Sequence, residues 1–489
     1  MEDKRNLNTP SLKINIMLNM AYQILAIITP LITAPYVSRV LQADGVGINS
    51  YVTSLLTFFT LFAALGTASY GKKIIASLRS NKEDYSKAFW EIELITVFTT
   101  LICLLVWIAF SMTYTNYRPY MLALSFTLLA TLFDISWLYG GLEKFQYTVS
   151  INSIFKILSV ICIFLFVKSK DDVLIYTTIM SLSTLFGSIS MWLFLPKHVV
   201  RPRVEISTLK QHLKSTIIYF GPAIATSIYT VMDKTLIGII TNSNIENGYY
   251  EQATKITNIV KAVCFDAING VMISRASFYY SQNDAISLCK VRDTTYHLIS
   301  FLSVGACFGI IGVSKVFVPI FFGEGYGSVV LLLDILAIVI VIIGISSVAN
   351  TIYFIAGGNM DKAIKLLLIG SFSNLILNIS LIPKLGSTGA TIATMIAESI
   401  ITILFIRGTE GFIKWKRIIE IYWKKIIAGV VMLAGIFLIS SLLSSANVYI
   451  QLLTYIVSGG TIYLVILNIL RDTSVSLAMD FICKIWKRR

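Results

Sequence analysis

Apolar runs of 18 or more residues recur from one end of this chain to the other, and that feature constrains its fold most. At 1.5 Å of rise per residue, about 20 apolar residues cross the ~30 Å hydrocarbon core of a bilayer. Only 13% of the residues are charged, about half the share usual in a soluble chain. An all-α polytopic membrane protein follows, because a helix satisfies its own backbone in lipid. The first run starts near Ile14 and continues to Val40. It is too long for a signal-peptide core and lacks a small-residue cleavage site, so it is expected to remain as the first span.

The runs predict about fourteen spans, near 14–40, 48–70, 89–113, 120–140, 147–167, 173–195, 216–240, 251–274, 294–318, 328–356, 363–382, 386–406, 425–443 and 450–470. With both termini placed in the cytoplasm, inner segments carry 30 Lys/Arg and outer loops 6, and four lysines (Lys156, Lys234, Lys255, Lys261) fall within spans. This is the positive-inside distribution. The net charge of +14 is then explained by topology and contact with anionic membrane lipids, so nucleic acid is not an expected partner. The six cysteines show no paired spacing and the three histidines are scattered, so neither a disulfide nor a metal site is expected. No phosphate loop or nucleophile constellation is present, which leaves no catalytic residues and no cofactor to assign.

The chain has internal correspondences. Lys13 to Gly47 and Lys214 to Gly248 each span one proline-containing run, and a polar aromatic segment follows each glycine (GINSY, GYYEQA). GGLEKF at 140–145 and GGNMDKA at 357–363 occupy similar places later. Two parallel six-span halves are expected, 1–200 and 201–410. Residues 411–489 follow as a basic linker (Lys414, Lys416, Arg417, Lys424, Lys425), two more spans and a tail.

Residues 214–275 carry the chemistry. Asp233, Lys234, Lys255, Lys261 and Asp266 lie there at membrane depth. Each costs roughly 2.5–3.5 kcal/mol in hydrocarbon, so such residues face a water-filled chamber or a partner. At ~100° per residue, Glu251, Lys255, Asn258, Asp266 and Asn269 share an arc of roughly 80°, with Lys261 off it. Lys255 also stands one turn from Glu251 and is placed to pair with it. On the second span, Asn49, Thr53, Thr57, Thr60 and Thr67 form a similar stripe, read equally well as cavity lining or as hydrogen-bonding glue between helices. Pro30 and Pro35 interrupt the first span and are candidate hinges. Gly389, Ala393 and Ala397 read as helix packing. Asp134 and Asp334 stand alone in the fourth and tenth spans.

Several longer runs carry a resemblance. TAPYVSRVLQADGVGINSY (33–51), YGKKIIA (70–76), WLYGGLEKF (137–145), SIYTVMDKTLIGII, PIFFGEGYGSVVLLLDILA (319–337) and LILNISLIPKLGSTGATIATMIAE (375–398) resemble Wzx-type polysaccharide biosynthesis flippases. That family belongs to the multidrug/oligosaccharidyl-lipid/polysaccharide transporter superfamily, and the likeness covers about residues 12–410. It implies two six-helix lobes arranged as a V plus two C-terminal helices. It implies oligosaccharide repeat units on undecaprenyl diphosphate as substrate, moved to the outer leaflet of the bacterial plasma membrane, with the polysaccharide polymerase as a partner. Lys234, Lys255, Lys261 and Arg39 are the positions that would meet the diphosphate, with Asn258 and Asn269 beside them. Asp233 and Asp266 would couple transport to an H+ or Na+ gradient. The first lobe's spans hold few cations, so a peptidoglycan precursor is not the expected cargo. Two other readings are a cation-coupled drug or metabolite antiporter on the same fold, and a membrane-embedded polymerase or glycosyltransferase. The first calls for acidic rather than lysine lining, the second for a large extramembrane loop.

Overall fold

The computed structural model describes residues 12–200, 205–443 and 445–477; Cys483 lies outside them. Every regular element among them is helical. In order they are α1 (Leu12–Ala64), α2 (Thr67–Leu78), α3 (Lys82–Thr113), α4 (Arg118–Phe133), α5 (Ser136–Gly141), α6 (Phe145–Phe166), α7 (Val173–Met191), α8 (Ile206–Thr241), α9 (Asn244–Lys261), α10 (Ala267–Ser281), α11 (Ala285–Phe322), α12 (Ser328–Val348), α13 (Met360–Gly408), α14 (Trp415–Leu442) and α15 (Val448–Ile469). Two π-helical segments, Ala262–Asp266 and Ala349–Ile355, follow α9 and α12.

Eleven of the described helices are long and apolar enough to cross a membrane, where the sequence predicts about fourteen spans. The difference lies in three places. α1 and α13 each run through two of the expected spans, and α8 is not among the eleven. Both long helices are broken internally, α1 at Gln42 (φ 57°, ψ 180°) and α13 at Gly386 (φ 55°, ψ −135°). Torsions stay helical through Pro30 and Pro35. A Cβ on Gly389 would collide with the backbone of Leu381. In an unbroken helix those positions lie ~12 Å apart, so α13 folds back on itself at Gly386. The Glu246 carboxylate seals this turn, accepting from the Ser387 N–H at 2.7 Å and its hydroxyl at 2.5 Å. It thereby caps the helix that restarts there.

Other ends follow local chemistry. Asn81 accepts from the Glu83 N–H at 3.0 Å and starts α3, with Glu83 and Asp84 in its first turn. Asp284 caps α11 through the Ser287 N–H at 3.0 Å, and Asn447 caps α15 through the Tyr449 N–H at 2.9 Å.

The chain divides into two compact units, residues 1–235 and 236–489. The division falls inside α8, whose N-terminal part is tied to the first unit. Tyr70 Oη meets His212 Nδ1 at 2.7 Å, Lys73 donates to Tyr219 Oη at 2.8 Å, and Thr235 donates to Ser54 at 2.8 Å. The first unit packs around Phe89, Trp107, Trp137 and Tyr139. The Trp107 indole N–H reaches the Met121 carbonyl at 3.0 Å, and the Tyr139 hydroxyl reaches that of Met191 at 2.7 Å.

In the second unit α14 and α15 pack on α11 around Met432, Ile436, Tyr455 and Tyr463. Lys425, which reads in the sequence as one more cation of the basic linker, is here 0% exposed and pairs with Asp472, 3% exposed, at 2.9 Å. Its ammonium also donates to the Ile421 carbonyl at 2.8 Å. Burial pushes the Asp472 carboxyl up, but hydrogen bonds from Ser474 and Lys425 more than reverse this and leave it below its ordinary value. Breaking a buried pair strands a charge at a cost of about 3–5 kcal/mol, whereas replacing both partners by apolar groups is often neutral. Lys425→Met is therefore expected to lower the unfolding temperature in detergent sharply, and Lys425→Met/Asp472→Leu to restore most of it.

Candidate functional site

In the second unit the charged face predicted on 251–269 is interrupted. The π segment at Ala262–Asp266 places i→i+5 bonding between Lys261 and Asp266. It acts as roughly one inserted residue, or ~100° of rotation. The projection that aligns Asp266 and Asn269 with Lys255 assumes an unbroken helix, so it fails beyond Lys261. Lys255 is half-buried and pairs with Glu251 at 3.6 Å, the local ion pair its spacing allows. Asn258 and Asp266 are exposed and Lys261 is half-buried. Asn269 turns to α12, donating to the Ser347 hydroxyl at 2.8 Å, and its Oδ1 is buried without a partner.

The first unit holds Arg39, exposed on α1, together with Asp233 and Lys234 near the end of the α8 portion that belongs to it. Asp233 is buried and Lys234 half-buried. The polar stripe on the second span is mostly spent on nearby backbone carbonyls. Thr57, Thr60 and Thr67 donate to carbonyls three or four residues back at 2.9, 2.9 and 2.6 Å, the back-bonding typical of threonine in helices. Asn49 accepts from Thr177 on α7 at 3.1 Å.

Three features escape the sequence reading. A polar cavity of about 380 Å³ lies within the first unit, lined by Asp134, Lys156, Asn152, Ser183 and Ser188, with the Lys156 ammonium 5.7 Å from the Tyr22 ring centroid. Its residues come from four helices, and only Asp134 and Lys156 stand out in sequence. Glu93 on α3 is 2% exposed, with neither carboxylate oxygen hydrogen-bonded. The third is an apolar groove of about 580 Å³ in the second unit. Val260, Val263 and Cys264 line it together with Gly309 on α11 and Ile436 and Gly460 on α14 and α15. A Cβ at Gly460 would meet nothing within 4 Å, and one at Gly309 only the Met432 methyl at 3.7 Å. The groove's depth is made by missing side chains. The helix that carries Lys255 and Lys261 on its charged faces thus lends another face to this groove.

Eleven described helices long and apolar enough to cross a membrane, with an apolar groove beside a charged helix face, mark a multi-pass membrane protein. The polysaccharide biosynthesis protein family profile matches residues 12–277, and the chain belongs to that family. A protein of Escherichia coli (strain K12) named as an O-antigen transporter is 22% identical over 83% of this chain and 99% of its own length. One of Haloferax volcanii named as a low-salt glycan biosynthesis flippase is 26% identical over 48% of this chain and 49% of its own. In fold, the chain is similar to lipid II flippase MurJ in an inward closed conformation, with a TM-score of 0.75 and 18% identity over 94% of this chain and 98% of that one. An outward-facing multidrug resistance MATE transporter aligns with a TM-score of 0.52 and 14% identity over 84% and 95%.

An exposed carboxylate on a membrane helix is tolerated where water reaches it. In a chain freed of native cysteines, Asp266→Cys is expected to react with a membrane-impermeant maleimide about tenfold faster than Val260→Cys in the groove. Equal rates would place Asp266 away from water.

Proposed function

We propose that this protein is a flippase for lipid-linked oligosaccharides. It moves undecaprenyl-diphosphate-linked repeat units by alternating access from the cytoplasmic to the outer leaflet of the bacterial plasma membrane, supplying surface polysaccharide assembly. The observation that carries this reading is the pairing, on one helix, of the apolar groove with the half-buried lysines. Ile259, Val260 and Val263 face the groove, while Lys255 and Lys261 sit within a turn or two of them. A polyprenyl-linked diphosphate has that composition, a long apolar tail joined to an anion with many acceptor oxygens. Family membership and relatives named as an O-antigen transporter and a glycan flippase support the same class of cargo. In this reading both termini are cytoplasmic, Arg39, Lys234, Asn258 and Asn269 contribute to the polar route, Asp233 and Asp266 couple it to an H+ or Na+ gradient, and Pro30 and Pro35 are its hinges.

The antiporter reading shares the fold, as the multidrug transporter's alignment indicates. It fits less well, because a cationic drug is repelled by the lysines that an anionic headgroup favours.

Reconstitution in proteoliposomes tests the proposal. Wild type is expected to flip an undecaprenyl-diphosphate-linked oligosaccharide. Lys255→Ala and Lys261→Ala are expected to slow flipping about tenfold, the loss of ~1.4 kcal/mol. Gly460→Phe, which fills the groove without a backbone clash, is expected to slow a long-chain substrate more than a short-chain analogue. Wild type that moves no lipid-linked sugar but exports a small organic cation would overturn the reading in favour of the antiporter.

A further inference from the structure

At one end of the first unit, loops from three parts of the chain bring basic groups together. Lys82 begins α3, Lys144 lies between α5 and α6, and Lys197 and His198 follow α7. The Lys144 ammonium meets His198 Nδ1 at 3.1 Å, and Lys82 donates to the Lys197 carbonyl at 3.3 Å. His198 is 7% exposed, held by the Tyr85 hydroxyl on its carbonyl at 2.7 Å and by the rings of Tyr139 and Tyr147 at 5.8 and 5.4 Å. With Lys144 donating to Nδ1, the ring proton is assigned to Nε2. That nitrogen is a buried donor without a hydrogen-bond partner.

Of the neighbouring acids, Glu83 is exposed in the first turn of α3 and the others are committed elsewhere. Glu143 pairs with Arg79 at 2.8 Å, Glu205 pairs with Lys87 at 2.8 Å, and Asp84 takes the Asn81 amide at 2.7 Å. Burial and then Lys144, Lys82 and Lys197 push the His198 imidazole down to about 4. Burial and then Lys82 push the Lys144 ammonium down as well. Ammonium groups gathered at one end of the unit are what an anion would complete.

The surroundings indicate where that anion comes from. Trp90 and Trp192 sit at this end, 6.2 Å apart, with indole N–H groups bonded to the Val200 and Phe133 carbonyls at 3.1 and 2.9 Å. Such amphipathic rings mark headgroup depth. Leu193, 76% exposed and about one turn before Lys197, offers apolar surface beside them. We propose that Lys82, Lys144 and Lys197, gathered around the buried His198, form a binding site for the headgroup phosphate of an anionic membrane lipid. The site is distinct from the transport route proposed above and does not depend on it.

Thermal unfolding of the purified full chain in neutral detergent tests this without any transport assay. Titrated phosphatidylglycerol is expected to raise the unfolding temperature saturably, while phosphatidylcholine and inorganic phosphate at matched concentrations do not. Lys82→Gln/Lys144→Gln/Lys197→Gln is expected to shift half-saturation about tenfold higher. If the half-buried Lys144 proves necessary for folding, Lys82→Gln/Lys197→Gln, confined to exposed lysines, is expected to shift it several-fold. Lys168→Gln/Lys170→Gln in a distant loop is expected to respond as wild type. Equal responses to the two phospholipids, or unshifted responses in both cluster variants, would overturn the site. Full stabilisation by inorganic phosphate would overturn its assignment to a lipid.

Discussion

The interaction on which the structure depends is the hydrogen bond of each peptide group to its own helix. In hydrocarbon an unpaired backbone N–H or C=O costs several kcal/mol, so the chain cannot cross a bilayer as open strand or loop. What distinguishes this chain is where it departs from regular helix. At Gly386 the backbone enters the left-handed region, and the groups freed there are taken by Glu246. A Cβ at that position would stand 2.6 Å from the same carboxylate, so the turn and its cap both require glycine. The two π segments keep the backbone bonded while rotating everything beyond them, and Asn269, just past the first, reaches Ser347, just before the second.

Charge in the interior is governed by the same economy of unsatisfied groups. Lys425 and Asp472 are buried together, and the carboxylate's second oxygen takes the Ser474 N–H at 2.8 Å. Glu91 is likewise buried and fully engaged, accepting from Thr208 at 2.6 Å and the Glu205 N–H at 3.1 Å, with His212 3.1 Å away. These networks hold α14 to the segment after α15 and α3 to the start of α8, each within its own unit. Glu93 and the Oδ1 of Asn269, both buried without partners, are a different kind of polar group. Their solvation is unpaid by the protein, which is common at functional sites and uncommon in structural ones.

Much of the architecture is legible in the sequence because bilayer thickness imposes length and apolarity on every span, and these are properties of contiguous residues. The individual runs and the Glu251–Lys255 pair are readable for that reason. What is not readable depends on residues far apart or on backbone geometry that leaves no mark in composition. Nothing in KAVCFDA announces a π segment, yet it removes Asp266 and Asn269 from the face that a 100° projection gives them. Lys425 looks like a linker cation because its partner lies 47 residues later, beyond another span. The apolar groove is built from Gly309, Gly460 and Val263, which no sequence window contains together.

The π segment also bears on how one helix serves two chemistries. A regular helix repeats its faces every 3.6 residues, so an apolar stripe lengthened along it must run beside the charged one at fixed angle. The extra residue at Ala262–Asp266 releases that constraint. The apolar stripe of Ile259, Val260, Val263 and Cys264 enters the groove, while Asp266, immediately after, is exposed. Removing the bulge would rotate Asp266 and all that follows by roughly 100° relative to Lys255. With the bulge in place, the groove wall and the exposed carboxylate stand within two turns of each other.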